Sequence, residues 1–374
     1  MTVASHQLAT RGITVRIALL SPLYESVPPQ KYGGTERVVS WLADELVRRG
    51  HHVTLFASGD SRTRAELVPV VDRALRLGHR GLLLDSYALH LAAAARVRAR
   101  AHDFDVIHSS IDYLAFPAFR DAPVPFVTTM HGRLDIAGLT EVHAAYPLPV
   151  VSISDAQRAA LPDAAWVATV YHGLPIEPGP VGPGGGDYVV FLGRISPEKA
   201  PDAAIRAARR AGVRLVIAAK IDPADRAYHD EVIAPLLRAG DGVEFIGEVD
   251  DAQKVALLRD ARALLFPICW PEPFGLVMIE AMACGTPVIA RRSGSVPEIV
   301  DHGRTGLICD DEDQLVAALH AIDRLDRAAC RRAVEQRFWV ARMTSDYETL
   351  YHDLAERRRF PGAARGVVSR AGVT

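Results

Sequence analysis

With 374 residues the chain exceeds one typical domain, and two is the natural expectation. A formal net charge of −2 leaves no basic footprint for nucleic acid, and no apolar run reaches the ~20 residues that span a bilayer. The four cysteines, Cys269, Cys284, Cys309 and Cys330, show no C-x-x-C spacing and so predict neither a zinc site nor a disulfide framework.

The opening stretch, MTVASHQLATRG, is polar and lacks the apolar core of a signal peptide. A reduced, soluble, cytoplasmic protein is the expectation, with peripheral membrane contact left open. Residues 15–20 predict a first strand, and a Pro-rich loop follows over 21–31. Tyr32-Gly33-Gly34-Thr35-Glu36 leads into a helix over 37–49, where Val38, Val39, Trp41, Leu42 and Leu46 recur at helical spacing. Gly50 stops it, and 52–57 give the second strand. Strand, helix, strand is the unit of a parallel sheet. An Ala- and Leu-rich helix over 84–100 precedes strands over 104–108, 125–129, 150–154 and 167–172. In open parallel sheets ligands collect at the carboxyl ends of the strands.

Composition changes at 175–187, PIEPGPVGPGGGD, which predicts a linker between a first domain, 1–174, and a second, 188–340. The second half begins again with a strand over 188–192 and the loop Gly193-Arg194-Ile195-Ser196-Pro197-Glu198-Lys199. Further strands are predicted over 214–219, 243–246, 263–266, 286–290 and 305–309. Helices are predicted over 203–211, 228–239, 251–260, 276–283 and 312–325. A single amphipathic segment covers 331–357, and about 341–357 of it is expected to pack back on the first domain. The tail, 358–374, is basic and Gly-containing and predicts disorder. The fold class is α/β, with two Rossmann-like parallel-sheet domains facing across a cleft.

The chemistry gathers around PEPFGLVMIEAMACG, residues 271–285. Glu272 and Glu280 flank a tight turn, Pro273-Phe274-Gly275, and the start of an apolar helix. Backbone N–H groups of Phe274, Gly275 and Leu276 lie near that helix start, which suits an anionic or hydroxyl-rich ligand. Either acid alone reads more readily as a helix-dipole partner or a surface carboxylate; it is the whole constellation that points to a ligand. Arg194 and Lys199 place two cations in the loop after the first strand of the second domain. Gly33-Gly34, just before a helix, let backbone approach a phosphate or sugar. No G-x-G-x-x-G follows a strand in either half, which argues against a nicotinamide dehydrogenase.

Glu272 to Glu280 form an E-x7-E signature. It continues through Ala281-Met282-Ala283-Cys284-Gly285-Thr286-Pro287-Val288-Ile289-Ala290, Gly294-Ser295-Val296-Pro297-Glu298-Ile299-Val300 and Gly303-Arg304-Thr305-Gly306-Leu307. On these residues the second half resembles the retaining glycosyltransferases of family 4, which have the GT-B fold. Tyr32-Gly33-Gly34-Thr35-Glu36-Arg37-Val38-Val39 and Leu55-Phe56-Ala57-Ser58-Gly59-Asp60-Ser61 are similar to the subgroup typified by an avilamycin-biosynthesis glycosyltransferase. The likeness spans residues 14–355.

The resemblance implies a hexosyltransferase that moves a sugar from a nucleotide diphosphate, with UDP favoured over GDP, to an acceptor hydroxyl with retention. It implies that Arg194 and Lys199 clamp the donor diphosphate, so that neither metal nor cofactor is expected. Gly33 and Gly34 meet the donor from the first domain. Glu280 takes the ribose, with Lys254 in support, and the backbone of Val249 meets the base. Backbone at Phe274, Gly275 and Leu276 holds donor hydroxyls. Glu272 binds the sugar or acts as a nucleophile, the first being favoured, and His131 contacts the sugar at the reaction centre. Acceptor-side candidates are Tyr24, Glu25, Arg133, Asp135 and Ser110-Ile111-Asp112-Tyr113; the acceptor itself is a small molecule, glycan or lipid. His172 is expected to be structural, beside a hinge. The competing readings are a GDP-mannose-dependent mannosyltransferase, a non-catalytic nucleotide-sugar-binding protein and a nucleotide-sugar 2-epimerase. The epimerase should lack the Pro-Phe-Gly turn within E-x7-E.

Overall fold

The structure, a computed structural model, describes residues 14–78, 85–176, 179–240 and 242–359. The opening stretch and almost all of the predicted tail lie outside the described residues. The first sheet comprises β1 (Arg16–Leu20), β2 (His52–Ser58), β3 (Glu66–Val71), β4 (Val106–Ser109), β5 (Phe126–Thr129), β6 (Val150–Ser152) and β7 (Trp166–Thr169). The second comprises β8 (Tyr188–Arg194), β9 (Arg214–Lys220), β10 (Val243–Gly247), β11 (Leu264–Phe266), β12 (Val288–Arg291) and β13 (Gly306–Cys309).

The strand orders are β3-β2-β1-β4-β5-β6-β7 and β10-β9-β8-β11-β12-β13, and every pairing is parallel. Both sheets therefore reverse direction of growth at one point, between β1 and β4 and between β8 and β11. Ligands of such sheets bind outside the carboxyl ends at that point. The apolar runs are continuous because both faces are covered. In β1, Ile17 and Leu19 join the core on one face, while Ala18 and Leu20 join the core on the other.

Three elements depart from expectation. The edge strand β3 was not legible, because Pro69 interrupts its apolar run and edge strands are where a proline is tolerated. The helix expected over 228–239 is α-helical only at its ends, with a π-helical turn at His229–Ile233. Pro235 has no N–H to give back to residue 231, and a widened turn absorbs the loss. The segment expected over 331–357 is two helices, Arg327–Arg337 and Val340–Arg359. They part at Phe338 and Trp339, where the chain crosses between domains: Leu174 N–H donates to the Phe338 carbonyl at 2.9 Å and Val340 N–H to the Leu174 carbonyl at 3.0 Å. A Cβ on Gly173 would come within 2.5 Å of the Trp339 carbonyl oxygen, so this crossing requires glycine.

The Val340–Arg359 helix belongs to the first domain's core. Met343, Tyr347, Leu350 and Tyr351 pack with Leu19, Val39 and Val127. His108 links the Tyr351 hydroxyl, 2.7 Å from its Nδ1, to Thr129 Oγ1, 2.7 Å from its Nε2, and Tyr347 completes the chain 2.8 Å from Thr129. The Gly-rich stretch expected to be a linker is strapped to the second domain. Gly182, Gly184 and Gly186 donate to the carbonyls of Cys284, Arg259 and Asp260 at 2.8, 3.1 and 2.9 Å.

Candidate active site

A cavity of about 930 Å³ lies between the domains, at the large end of the range for small-molecule sites. Loops after β1, β4 and β5 line one side, and those after β8, β9, β10 and β11 line the other. Every residue singled out above for the donor or for catalysis lines this one cavity.

On the second domain, Glu272 sits in the loop between β11 and the helix Leu276–Ala283 and is 7% exposed. Its Oε2 pairs with Lys199 Nζ and accepts the Trp270 indole N–H at 3.0 Å. The ammonium also lies 5.0 Å from the centre of the Trp270 ring and 5.5 Å from that of Phe266, each a favourable cation–π placement. The loop is braced from behind. Ser295 donates its N–H to the Glu272 carbonyl at 2.9 Å and its hydroxyl to the Phe274 carbonyl at 2.8 Å. A Cβ on Gly294 would lie 2.3 Å from the Glu272 backbone, and its φ of +52° favours glycine again. The Gly294-Ser295 of the sequence pattern is thus what presses Glu272 into the cleft.

Gly275, at φ +77°, turns the chain into the helix Leu276–Ala283, whose start carries no side-chain cap. Its first N–H groups face the cavity with the positive end of the helix dipole. Arg194 is neutralised on its own side by Glu198, by Asp222 at 3.7 Å and by Asp225 at 3.4 Å. Glu280 holds Lys254 at 2.7 Å; Lys254 reaches Asp251 at 3.1 Å; Asp251 pairs with Arg37 of the first domain. Val249 lines the cavity beside this chain of charges.

On the first domain, Gly34 opens the helix Gly34–Arg48, which also lacks a side-chain cap. A Cβ on Gly34 would stand 3.4 Å from Leu276 across the cleft, and one on Gly33 only 2.7 Å from Pro29. His131 donates its backbone N–H to Asp112 Oδ1 at 3.0 Å. Burial pushes its imidazole down to about 3, so the ring is neutral at pH 7, and its Nε2 has no protein partner. Burial pushes Asp112 up to about 6.

Four functional contacts were not legible. His172 is not merely hinge-adjacent: it lines the cavity, stacks on His131 at 5.3 Å and meets Phe274 edge-on at 4.8 Å. Trp270 was given no role, although it fixes Glu272. Glu298 appeared only as part of the sequence pattern. Its carboxylate ties the domains together, accepting from the Asp155 and Ala156 N–H groups at 2.8 and 2.7 Å and from the Tyr171 hydroxyl at 2.8 Å. Glu36 lines the cavity buried, pushed up to about 7, and accepts the Glu25 N–H at 3.3 Å. Of the acceptor-side candidates all but Asp135 line the cavity. The two Asp-x-Asp triplets, at 103–105 and 311–313, lie outside the cavity lining, and no cluster of three metal-ligating side chains occurs among the described residues.

The Glu298 tie predicts a domain-opening variant. Hydrogen bonds to a charged group contribute about 1.5–3 kcal/mol each in cost when lost, so Glu298→Ala should open the cleft. Small-angle scattering should give a larger radius of gyration, and the Michaelis constant for donor should rise. An unchanged radius and Michaelis constant would refute the tie.

Two parallel sheets facing across such a cleft, with the loops after their middle strands converging on it, define a GT-B glycosyltransferase. A family model matches within each domain: residues 32–174 match Glycosyltransferase Family 4 and residues 179–336 match Glycosyl transferases group 1. The chain belongs to these glycosyltransferases. It is 28% identical to D-inositol 3-phosphate glycosyltransferase of Mycolicibacterium smegmatis over 89% of this chain and 90% of that enzyme. It is 35% identical to N-acetyl-alpha-D-glucosaminyl L-malate synthase of Bacillus anthracis over 33% of this chain and 39% of that enzyme. AviGT4, a glycosyltransferase involved in avilamycin A biosynthesis, superposes with a TM-score of 0.67 at 26% identity over 91% of this chain and 98% of its own. Anabaena Alr3699/HepE in complex with UDP-glucose shares the fold, with a TM-score of 0.69 at 20% identity over 90% and 100% of the two chains. No helix among the described residues is long and apolar enough to cross a membrane.

Proposed function

We propose that the chain is a cytoplasmic retaining hexosyltransferase that moves a sugar from a UDP-sugar to an acceptor hydroxyl, using neither metal nor cofactor. The observation that carries this reading is the Lys199–Glu272 pair at the cleft centre, set between an uncapped helix start and the neutral His131. Relatives named for glycosyl transfer, and a fold neighbour bound to UDP-glucose, support the donor class.

The chemistry follows from the charges. As the glycosidic bond to the diphosphate breaks, negative charge grows on the leaving oxygen, and preorganised cations and N–H groups there lower the barrier. Arg194, Lys199 and the N–H groups at the start of Leu276–Ala283 take that place. Lys199 exchanges Glu272 for the diphosphate, and the released carboxylate accepts hydroxyls of the sugar. The acceptor hydroxyl attacks the face from which the diphosphate leaves, and the leaving phosphate takes its proton. Glu272 serves as the sugar binder: Lys199 and Trp270 both hold it through Oε2, which leaves Oε1 to accept a sugar hydroxyl.

Transfer from UDP-glucose and GDP-mannose, read by mass spectrometry and by NMR of the product anomer, tests this. Retention, a preference for UDP-glucose and full activity in EDTA are expected. An inverted product, a GDP-mannose preference or loss of activity on chelation would each overturn the corresponding part. A protein that binds UDP yet turns over neither donor would be a binding module.

A further inference from the structure

The part of the cavity away from the donor residues has a distinctive balance of charge. It is walled by the loop after β1, the helix Ser86–Ala99, the turn after β4 and the segment 133–142. Among the described residues two arginines enter it, and both are already paired. Arg76 holds Glu25 at 2.9 Å, and Arg133 holds Asp135 at 2.7 Å while lying 5.4 Å over the Trp270 ring. The acid at its inner end is Asp112. This residue has a left-handed backbone, φ +49°, which costs energy in a residue with a Cβ and persists where surrounding structure fixes it. The hydrogen bond from His131 N–H fixes it here through Oδ1. Asp112 lines the cavity beside the reaction centre that His131 marks.

The remainder of the wall is aromatic and aliphatic. Tyr24 and Tyr113 line it, and Tyr87 and Ile136 are 58% and 51% exposed at its rim. An anion placed here would meet Glu25 and Asp112 and could gain a cation only by taking an arginine from its carboxylate, which costs free energy. A ring with one apolar face and hydroxyls at its edge would meet neither obstacle.

We propose that this subsite takes an uncharged, partly apolar hydroxyl compound, such as a glycoside with an apolar aglycone, and that Asp112 receives its reacting hydroxyl. The proposal rests on the transferase reading above and names its acceptor class. It sets this chain apart from the similar enzymes named for D-inositol 3-phosphate and L-malate, which are anions. The raised affinity of Asp112 for a proton has the same origin, a carboxylate held away from water with no cation beside it.

The test uses the full chain loaded with UDP and four probes: phenyl β-glucoside, phenyl β-glucuronide, phenyl β-glucoside 6-phosphate and methyl β-glucoside. Calorimetry should give phenyl β-glucoside a dissociation constant at least ~10-fold below each of the others. Glu25→Gln, which releases Arg76, should tighten binding of the glucuronide and the 6-phosphate while leaving phenyl β-glucoside within about threefold. Asp112→Asn should also tighten the two charged probes, and should lower the turnover number for any probe that accepts sugar by about 10²-fold through lost positioning of the hydroxyl, whose proton still passes to the leaving phosphate. Equal or tighter binding of a charged probe by the parent protein, or no binding of any probe, overturns the proposal. So does failure of both variants to improve the charged probes. Failure of UDP itself to bind would strike the transferase reading and not the acceptor class.

Discussion

Replacing Lys199 by alanine is expected to lower the turnover number by about 10²–10³-fold, the effect of losing one preorganised donor at a developing anion. Lys199 is enclosed by Glu272, Trp270 and Phe266. The same substitution leaves the Glu272 carboxylate with only the Trp270 N–H among these contacts, in a poorly hydrated position. UDP affinity should therefore fall along with turnover. Arg194→Ala belongs at the upper end of that range, because it strips the counter-charge from Glu198 and Asp225 and leaves Asp222 to Lys220 alone, beside the proposed diphosphate position. Glu272→Ala should reduce turnover too. The Lys199→Ala, Glu272→Ala double variant should lose much less than the product of the two single losses, since the pair acts as a unit. Steady-state UDP release and calorimetry with UDP provide the measurements. A Lys199→Ala turnover number within threefold of the parent would remove the clamp assignment.

Acid should destabilise the fold in two stages. Burial pushes His108 and His131 down to about 3 and His172 well below the usual histidine range. An unfolded histidine titrates near 6.5, so below that pH the unfolded chain binds protons that the folded one refuses. The resulting stability is complete above pH 6.5 and is lost as pH falls toward 3. Glu36 and Asp112 work the other way. Burial raises them to about 7 and about 6, so their contribution is complete below the ordinary carboxylate range and is lost as pH rises through 6 and 7.

Between about pH 6.5 and 4.5 the two sets largely cancel. The slope from these groups there should be shallow. Below that window the opposing contribution of Glu36 and Asp112 is saturated, so the loss of stability steepens. Urea midpoints measured at successive pH values should show this break. His108→Gln should remove about one proton from the steep limb, and Glu36→Gln should stabilise the protein above pH 7. A flat midpoint between pH 4.5 and 3.5 would contradict the buried neutral histidines.

What could be read from the sequence was what repeats locally. Twelve of the thirteen strands were legible because apolar runs between glycine and proline punctuation mark buried parallel strands. Gly33, Gly34, Arg194, Lys199, Glu272 and Glu280 were found through strand-to-helix loops of a familiar pattern. Contacts that depend on residues distant in sequence were not legible. Glu298 meets Asp155 and Ala156 only after two domains have docked. His172 stands over His131 only because the chain crosses between domains next to it. The same crossing splits 331–357 into two helices, since Phe338 must turn its carbonyl toward Leu174. Pairing of the cleft cations was invisible for a simpler reason: Glu198, Asp222 and Asp225 read as surface acids until β8 and β9 lie side by side.

The docking of Val340–Arg359 onto the first domain sets an order of assembly. During synthesis every strand of the second sheet, Tyr188 to Cys309, leaves the ribosome before Met343, Tyr347 and Tyr351 do. The domain translated first is therefore finished last. A nascent chain interrupted before Val340 would hold an assembled second sheet, with His108 and Thr129 still lacking the two phenols that seal them.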